Sequence, residues 1–169
     1  MRRNVVFSKL QPKLKINTIY DIDLMQLWNH GFRGIITDLD NTLVGASDKL
    51  ATPELVQWLE KVKSIGFKVA IVSNNERLRV ETFAAPLQIP YFYRAKKPIN
   101  ASFRKALAQL ELTPQQTVVI GDQMLTDVLG GNRMGLYTIM VQPISTKDEG
   151  FFTRINRKIE KLALVLMKK

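Results

Sequence analysis

The chain of 169 residues contains no cysteine and only one histidine, His30, which excludes several kinds of chemistry. Without thiols it can form no disulfide, no thiolate metal site and no cysteine nucleophile. No stretch approaches the roughly 20 apolar residues that a membrane-spanning helix needs. The first seven residues also lack the apolar core of a signal peptide. Together with a length that suits one domain, these absences predict a cytoplasmic protein.

Acidic residues are scarce at both ends of the chain. Residues 1–20 hold five basic residues and no acid, and residues 150–169 hold six basic residues against Glu160 alone. The formal net charge of +10 therefore lies at the ends, because basic and acidic residues balance in 21–149. Charge confined in this way predicts a negatively charged partner. An anionic membrane is one such surface and nucleic acid is the alternative.

The segment 150–169 has the pattern of a basic amphipathic helix. Apolar residues recur every three or four positions and basic residues interleave with them: Phe151, Phe152, Ile155, Ile159, Leu162 and Leu166, with Arg154, Arg157, Lys158 and Lys161. One interpretation is a helix that lies in a membrane interface. The other is a helix that packs on the domain and exposes a charged face. Each basic residue near an anionic leaflet contributes roughly 1 kcal/mol, enough for several to attach the protein peripherally to the inner leaflet.

Five short apolar runs, rich in Ile, Val and aromatic residues, predict strands at 34–38, 68–73, 90–93, 117–121 and 138–141. Helical patterns separate them. One begins at Thr52-Pro53, an N-cap followed by proline, and ends at Gly66. Further helices are predicted near 75–86, 99–111 and 124–134. This alternation predicts an α/β fold, a Rossmann-like doubly wound sheet that is mainly parallel and has helices on both faces.

Two carboxylates, Asp38 and Asp40, follow the first predicted strand directly. Residues i and i+2 of an extended segment point the same way, so both acids face one small volume. Two carboxylates at such a short distance repel each other, so a cation must lie between them or one of them must keep a proton. Either arrangement suits chemistry on phosphate. A solvated acidic turn is the alternative for an Asp-x-Asp pair taken alone.

Polar residues also end or follow the next predicted strands: Ser73-Asn74, then Lys96-Lys97-Pro98, then Gly121-Asp122. Taken singly, these residues would be helix caps or solvated groups, and Asp127 would lie on a helix surface. Taken together, they place one polar group at each strand end. Ligands bind sheets of this kind at the carboxyl ends of the strands. We therefore expect these side chains to line one rim with Asp38 and Asp40.

The chemistry of these groups is complementary. One carboxylate can attack phosphorus and form an acyl-phosphate, while a second carboxyl group protonates the leaving oxygen and later deprotonates the attacking water. Mg²⁺ would offset the repulsion between the acids and an anionic substrate, with oxygen ligands from Asp38, Asp122 and a backbone carbonyl near Asp40. A lysine ammonium and a hydroxyl would bind the remaining phosphoryl oxygens.

The motifs resemble the four motifs of the haloacid dehalogenase (HAD) superfamily of phosphatases: Asp38-Leu39-Asp40-Asn41-Thr42, Ser73, Lys97-Pro98 and Gly121-Asp122-Gln123-Met124-Leu125-Thr126-Asp127. The resemblance covers about residues 33–141. It implies a nucleophile and an acid/base, Asp38 and Asp40; Mg²⁺ at Asp38, Asp40 and Asp122; and phosphate or substrate binding by Thr42, Ser73, Asn74 and Lys97, with Lys97 also acting in catalysis. Asp127 matches the last acid of the fourth motif and is expected to orient Lys97 or metal-bound waters. Lys96 is the alternative to Lys97, which is preferred because the family's lysine often precedes proline.

The spacing of the motifs leaves no room for a cap domain. Thirty residues separate Thr42 from Ser73 and 23 separate Ser73 from Lys97, and a helix and a strand occupy most of each interval. The chain is thus expected to be a capless, subclass III type member, with the phosphatase domain at 21–149 between a basic segment (1–20) and the amphipathic helix (150–169).

Within the superfamily, the capless body and basic flanks look similar to the bacterial YqeG-type proteins, which are related to phosphatidylglycerophosphate phosphatases. This implies removal of the terminal phosphate of phosphatidylglycerophosphate at a membrane surface. Two alternatives stay open. One is a phosphatase of a soluble sugar phosphate or nucleotide, and the other is a basic RNA- or ribosome-associated protein with a vestigial site.

Overall fold

The structure, a computed structural model, describes residues 8–147 and 149–167, apart from the side chains at 151, 152, 163, 164, 166 and 167. Within this part, six strands form one sheet in the order β1-β6-β5-β2-β3-β4, and all neighbours are parallel. The strands are β1 Leu14–Lys15, β2 Gly34–Thr37, β3 Lys68–Val72, β4 Tyr91–Phe92, β5 Thr117–Gly121 and β6 Tyr137–Met140. The α-helices are α1 Leu24–Asn29, α2 Pro53–Ile65, α3 Arg77–Ala84, α4 Ala101–Leu110, α5 Leu129–Met134 and α6 Phe151–Met167.

The sheet is buried on both faces, which fits the predominantly apolar sequence of its central strands. All residues of β2 and β5 are buried. Neighbouring residues of a strand point to opposite faces. Ile35 accordingly belongs to a core with α2 and α3, whereas Ile36 belongs to a second core with α4. The predicted fold class, a mainly parallel sheet with helices on both faces, is confirmed.

Helix α2 shows how local sequence sets the bounds of an element. The hydroxyl of Thr52 accepts a hydrogen bond from the backbone N–H of Leu55 at 3.2 Å, and proline occupies the first turn. Such a cap stabilises a helix by about 1 kcal/mol. Gly66, with φ 113°, ends the helix in the left-handed conformation that glycine adopts most easily. The predicted start and stop are therefore confirmed.

Strand β1 is an element that the sequence did not predict. β1 pairs with β6 at the sheet edge, with Leu14 opposite Ile139. A strand of two residues is too short to show an alternating pattern. Because β1 lies within the segment 1–20, part of that segment joins the sheet, and the proposed three-part division stays a prediction.

Some predicted features lie outside the described part of the chain. They are the basic residues Arg2, Arg3, Lys168 and Lys169 and the side chains of Phe151, Phe152 and Leu166. Among the described residues, no helix combines the length and the apolar character required to cross a bilayer.

Candidate active site

The three central strands bring the predicted site residues together. Asp38 follows β2, Ser73 follows β3 and Asp122 follows β5, and these strands are neighbours. The backbone N–H of Asp38 donates to the carbonyl of Ile120 at 2.9 Å, which extends the pairing of β2 and β5 to the rim. A cleft of about 600 Å³ opens there, lined by Asp38, Asp40, Asn41, Ala46, Ser73, Asn74, Asn75, Lys97, Gln123, Thr126, Glu149, Gly150, Thr153 and Asn156.

Three buried carboxylates form the centre of the site. Asp38, Asp122 and Asp127 each place an oxygen within 4.8 Å of the others. Burial, and then the carboxylates of Asp38 and Asp127, raise the pKa of Asp122 to about 8. Burial also raises the pKa of Asp127 to about 6, although Lys97 opposes this. A cation with oxygen preference would stabilise all three in the ionised form.

Asp127 reaches the cluster because of two backbone features. A π-helical turn at Met124–Val128 turns its side chain inward, and Gly121 leaves the space. A Cβ atom at position 121 would lie 2.2 Å from Cγ of Asp127, so only glycine fits there. The Asp127 Oδ2 atom accepts a hydrogen bond from the backbone N–H of Gln123 at 3.2 Å. The alternative of a surface position for Asp127 is thereby wrong.

Lys97 is the lysine that reaches the cluster. Its Nζ donates to Oδ1 of Asp38 at 2.8 Å and to Oδ1 of Asp127 at 2.7 Å. Burial lowers the pKa of Lys97, but the two carboxylates outweigh burial and raise it above its ordinary value. Lys96, the alternative, is exposed. The geometry thus favours Lys97 as the group that would meet a phosphoryl oxygen.

Asp40 is held by two residues that the sequence did not single out. Arg79 donates from Nε and Nη2 to Oδ1 of Asp40 at 3.0 and 2.8 Å. Asn75 donates from Nδ2 to the other oxygen at 2.8 Å. Because both oxygens are engaged, the carboxyl group of Asp40 has a fixed orientation at the cleft wall. Arg79 lies in the first turn of α3, and nothing in the sequence apart from its charge marks it as a site residue.

The residues predicted to bind substrate differ in their placement. Ser73 and Asn74 line the cleft. Asn74 also fixes the third motif, since its Oδ1 accepts from the backbone N–H of Lys97 at 2.7 Å. Thr42, by contrast, is buried and donates its hydroxyl to Oδ1 of Asp122 at 3.0 Å. It therefore supports a carboxylate directly, and the predicted contacts of these three residues with substrate stay predictions.

Helix α6 contributes a cation that the sequence interpretation placed among the interleaved basic residues. Arg157 Nη2 donates to Oδ2 of Asp122 at 2.6 Å and also pairs with Glu149. Glu149 in turn accepts from Nδ2 of Asn41 at 3.4 Å. Burial lowers the pKa of Arg157, but hydrogen bonds with Glu149 and Asp122 raise it overall. Of the two interpretations of this helix, packing on the domain is thus observed for the face that carries Arg157.

The charges around the cleft leave a deficit of positive charge. Within residues 8–147 and 149–167, five carboxylates converge on it, from Asp38, Asp40, Asp122, Asp127 and Glu149. In the same part of the chain three cations face them, Lys97, Arg79 and Arg157. Uncompensated buried charge is strongly unfavourable. With all these groups ionised, one divalent cation would balance the site, and its donors are the hard oxygens that Mg²⁺ prefers. The residues present therefore fit Mg²⁺.

Comparison with known proteins agrees with this chemistry. A family model described as HAD-hydrolase-like matches residues 94–150. The chain is 48% identical over 158 residues to the probable phosphatase YqeG of Bacillus subtilis, covering 94% of this chain and 91% of that protein. It is 28% identical to phosphatidylglycerophosphate phosphatase 1 of Arabidopsis thaliana, covering 94% of this chain but only 47% of the plant protein. The chain thus spans about half of the plant protein.

Solved structures share the fold at lower identity. CbbY from Rhodobacter sphaeroides, in a complex with phosphate, superposes with a TM-score of 0.55. The identity is 14%, and the match covers 71% of this chain and 90% of CbbY. At this identity the likeness concerns the arrangement of strands and helices alone.

Proposed function

Because the chain belongs to the family of HAD-like phosphatases that includes the probable phosphatase YqeG, we propose that it hydrolyses a phosphate monoester with Mg²⁺ and an aspartyl-phosphate intermediate. The observation that carries this proposal is the cluster of Asp38, Asp122 and Asp127 with Lys97 in one cleft. A merely acidic turn would not bring a buried lysine and a third carboxylate to the same point.

In the first step, an oxygen of Asp38 attacks phosphorus as the bond from phosphorus to the leaving alcohol breaks. Asp40, held at the cleft wall by Arg79 and Asn75, must be protonated at the start of this step, and it gives that proton to the departing alcohol oxygen. Lys97 donates hydrogen bonds to the phosphoryl oxygens, on which charge develops. The products of this step are the free alcohol and a phosphorylated Asp38.

In the second step, water attacks the phosphorus of the aspartyl-phosphate. Asp40, now ionised, takes a proton from this water, and the bond between phosphorus and the Asp38 oxygen breaks. Inorganic phosphate leaves and both carboxyl groups return to their starting forms. Asp38, Asp122 and the backbone at Asp40 would hold Mg²⁺, with Asp127 orienting Lys97 and Thr42 orienting Asp122. When bound, Mg²⁺ offsets the charge of the phosphoryl group against the carboxylates.

Phosphatidylglycerophosphate is the substrate that we propose, with phosphatidylglycerol as the product. The similarity to the plant enzyme supports this choice. The outer face of α6 supports a lipid surface as the place of reaction. Ile155, Ile159 and Leu162 form a stripe on this face and are 37%, 47% and 61% exposed. Arg154, Lys158 and Lys161 are exposed along its flank, where anionic headgroups would neutralise them.

We call Ile155, Ile159 and Leu162 the outer stripe. A helix turns about 100° per residue, so Arg157 lies about 200° from Ile155. The site and the outer stripe therefore occupy opposite sides of α6. A protein attached to the inner leaflet through the outer stripe would hold the cleft across α6 from the headgroups, about one helix diameter (about 10 Å) away. A substrate phosphate would then have to project past the helix to reach the cleft.

The substrate proposal predicts a preference for the lipid phosphate. With Mg²⁺, we expect kcat/KM for phosphatidylglycerophosphate in anionic vesicles to exceed that for soluble sugar phosphates and nucleotides by at least about tenfold, a difference of about 1.4 kcal/mol. Chelation of Mg²⁺ with EDTA should abolish turnover, and its re-addition should restore it. Phosphate release measured over both sets of substrates checks this. Preference for a soluble phosphate would overturn the lipid substrate. Tight RNA binding without phosphatase activity would overturn both the lipid substrate and the phosphatase function.

The docking proposal predicts that the outer stripe determines membrane attachment. The triple variant Ile155→Ser, Ile159→Ser, Leu162→Ser should bind anionic vesicles at least about tenfold more weakly in co-sedimentation, because three apolar side chains no longer enter the interface. Leu78→Ser is the matched control, since Leu78 is 78% exposed on α3. Equal binding of the triple variant and this control would contradict docking through α6. A melting temperature near that of the wild type would show that the variant is folded.

A further inference from the structure

Helix α6 forms one wall of the active-site cleft, although it belongs to none of the four motifs. Thr153 and Asn156 of this helix, with Gly150 just before it, line the same cleft as Asp38 and Ser73. Thr153 and Asn156 lie three residues apart, on the inner side of the helix with Arg157 and Glu160. The wall thus comes from a segment about 25 residues beyond the last motif.

The position of this wall is fixed by three acidic groups. Asp122 and Glu149 hold the guanidinium of Arg157. One turn further along, Glu160 Oε1 accepts a hydrogen bond from the backbone N–H of Leu125 at 3.0 Å. Leu125 belongs to the π-helical turn that also carries Asp127. These contacts tie α6 to the carboxylate cluster, so Thr153 and Asn156 are held in a fixed position relative to that cluster.

Thr153 and Asn156 are half-buried, and within the described residues their side chains make no hydrogen bond to another part of the protein. Polar groups in a cleft wall can therefore bond to a ligand without first breaking a bond in the protein. The rest of the cleft is also lined mainly by polar and charged side chains. Among the described residues that line it, Ala46 alone has a hydrocarbon side chain, and none is aromatic. Such a cleft favours a hydroxyl-rich leaving group over an aromatic or acyl one.

We propose that the Thr153 hydroxyl and the Asn156 carboxamide recognise the glycerol and phosphodiester part of the substrate that lies beyond the reacting phosphoryl group. This inference rests on the proposed phosphatase function and names two specificity-determining residues for it. Arg157 is a positioning residue, which acts by holding the wall against Asp122 and Glu149. The acyl chains stay outside the cleft, on the membrane side of α6.

The test uses the deacylated, water-soluble headgroup of phosphatidylglycerophosphate, so that membrane attachment does not enter. Thr153→Val and Asn156→Leu keep the approximate shapes of the side chains and remove their hydrogen bonds. Each should raise KM about three- to tenfold, the effect of one lost hydrogen bond, and leave kcat within about twofold. The inhibition constant of inorganic phosphate, which occupies only the phosphoryl position, should stay within about twofold. Val165→Thr, at an exposed position of the same helix, is the control.

The outcomes separate this inference from the proposed function. An unchanged KM in both variants, with wild-type activity on the headgroup present, overturns the recognition role alone. An equal rise in KM and in the inhibition constant of phosphate also overturns it, because the change would then affect the phosphoryl position. If the wild type ignores the headgroup but hydrolyses another polyol phosphate, the proposed substrate is overturned. The KM values of the same two variants for that polyol phosphate then decide whether Thr153 and Asn156 bind the leaving group.

Discussion

Replacing Asp38 by asparagine should reduce turnover at least about 10⁴-fold and leave the fold intact. The amide has nearly the same shape but is no nucleophile, so the covalent step is lost rather than slowed. Its oxygen can still accept the hydrogen bond from Lys97. Removing one of three crowded carboxylates also relieves repulsion with Asp122 and Asp127. We therefore expect a melting temperature equal to or above that of the wild type.

The measurement combines steady-state phosphate release with acid-quenched peptide mapping. Wild-type protein mixed with substrate and Mg²⁺ should yield a phosphorylated peptide that contains Asp38, and the Asp38→Asn variant should yield none. Glu60→Gln is a suitable control, because it makes the same change from carboxylate to amide at an exposed position of α2. Activity of the Asp38→Asn variant above about 1% of wild type would remove Asp38 as the nucleophile.

Replacing Lys97 by methionine should destabilise the protein as well as inactivate it. Lys97 and its partners Asp38 and Asp127 have side chains that are 3%, 8% and 3% exposed. Removing one partner of a buried ion pair leaves uncompensated charge, which costs about 3–5 kcal/mol. We expect a loss of this size in the free energy of unfolding near pH 7 without Mg²⁺. The loss should shrink as the pH falls, because the raised pKa values of Asp122 and Asp127 let the native state take up protons that neutralise the cluster.

Urea unfolding at several pH values checks this expectation. Lys61→Met is the matched control, since Lys61 is exposed on α2 and its loss should change stability by no more than about 0.5 kcal/mol. Adding Asp127→Asn to Lys97→Met should restore part of the stability, because one buried negative charge disappears. If Lys97→Met unfolds like Lys61→Met at neutral pH, the lysine does not compensate the cluster as the geometry indicates.

The sequence predicted the sheet and the rim of the site for a simple reason. Buried parallel strands are predominantly apolar runs, so the end of each strand can be recognised in the sequence by the first polar residue after it. Here these residues are Asp38, Ser73 and Asp122. The strands β5, β2 and β3 are neighbours in a parallel sheet, so their carboxyl ends lie at the same edge. The three residues that follow them therefore lie close together. The preference for Lys97 over Lys96 rested on the proline that follows it, and the structure buries Lys97.

The partners of these carboxylates were harder to predict. Arg79 and Asn75 hold Asp40 through contacts that join segments about 35–40 residues apart, for which local pattern carries no information. The sequence predicts Arg157 as part of a basic face, because it stands among Arg154, Lys158 and Lys161. One signal was present: Thr153, Asn156, Arg157 and Glu160 form a polar stripe at three- and four-residue spacing, opposite the apolar one. A polar stripe of this kind, separate from the basic flank of the helix, predicts that this side of the helix contacts polar groups of the domain.

The attachment of Arg157 to Asp122 has a consequence for the order of folding. Thr42 and Asp122 are bonded across 80 positions of the chain, and Lys97 and Asp38 across 59. Among the described strands every pair is parallel, so none of these pairs forms from a hairpin, and their contacts form only after long loops close. We therefore expect α6 to dock late in folding, after β5 has joined the sheet and placed Asp122. The reaction centre gains the positive charge of Arg157 only at that stage.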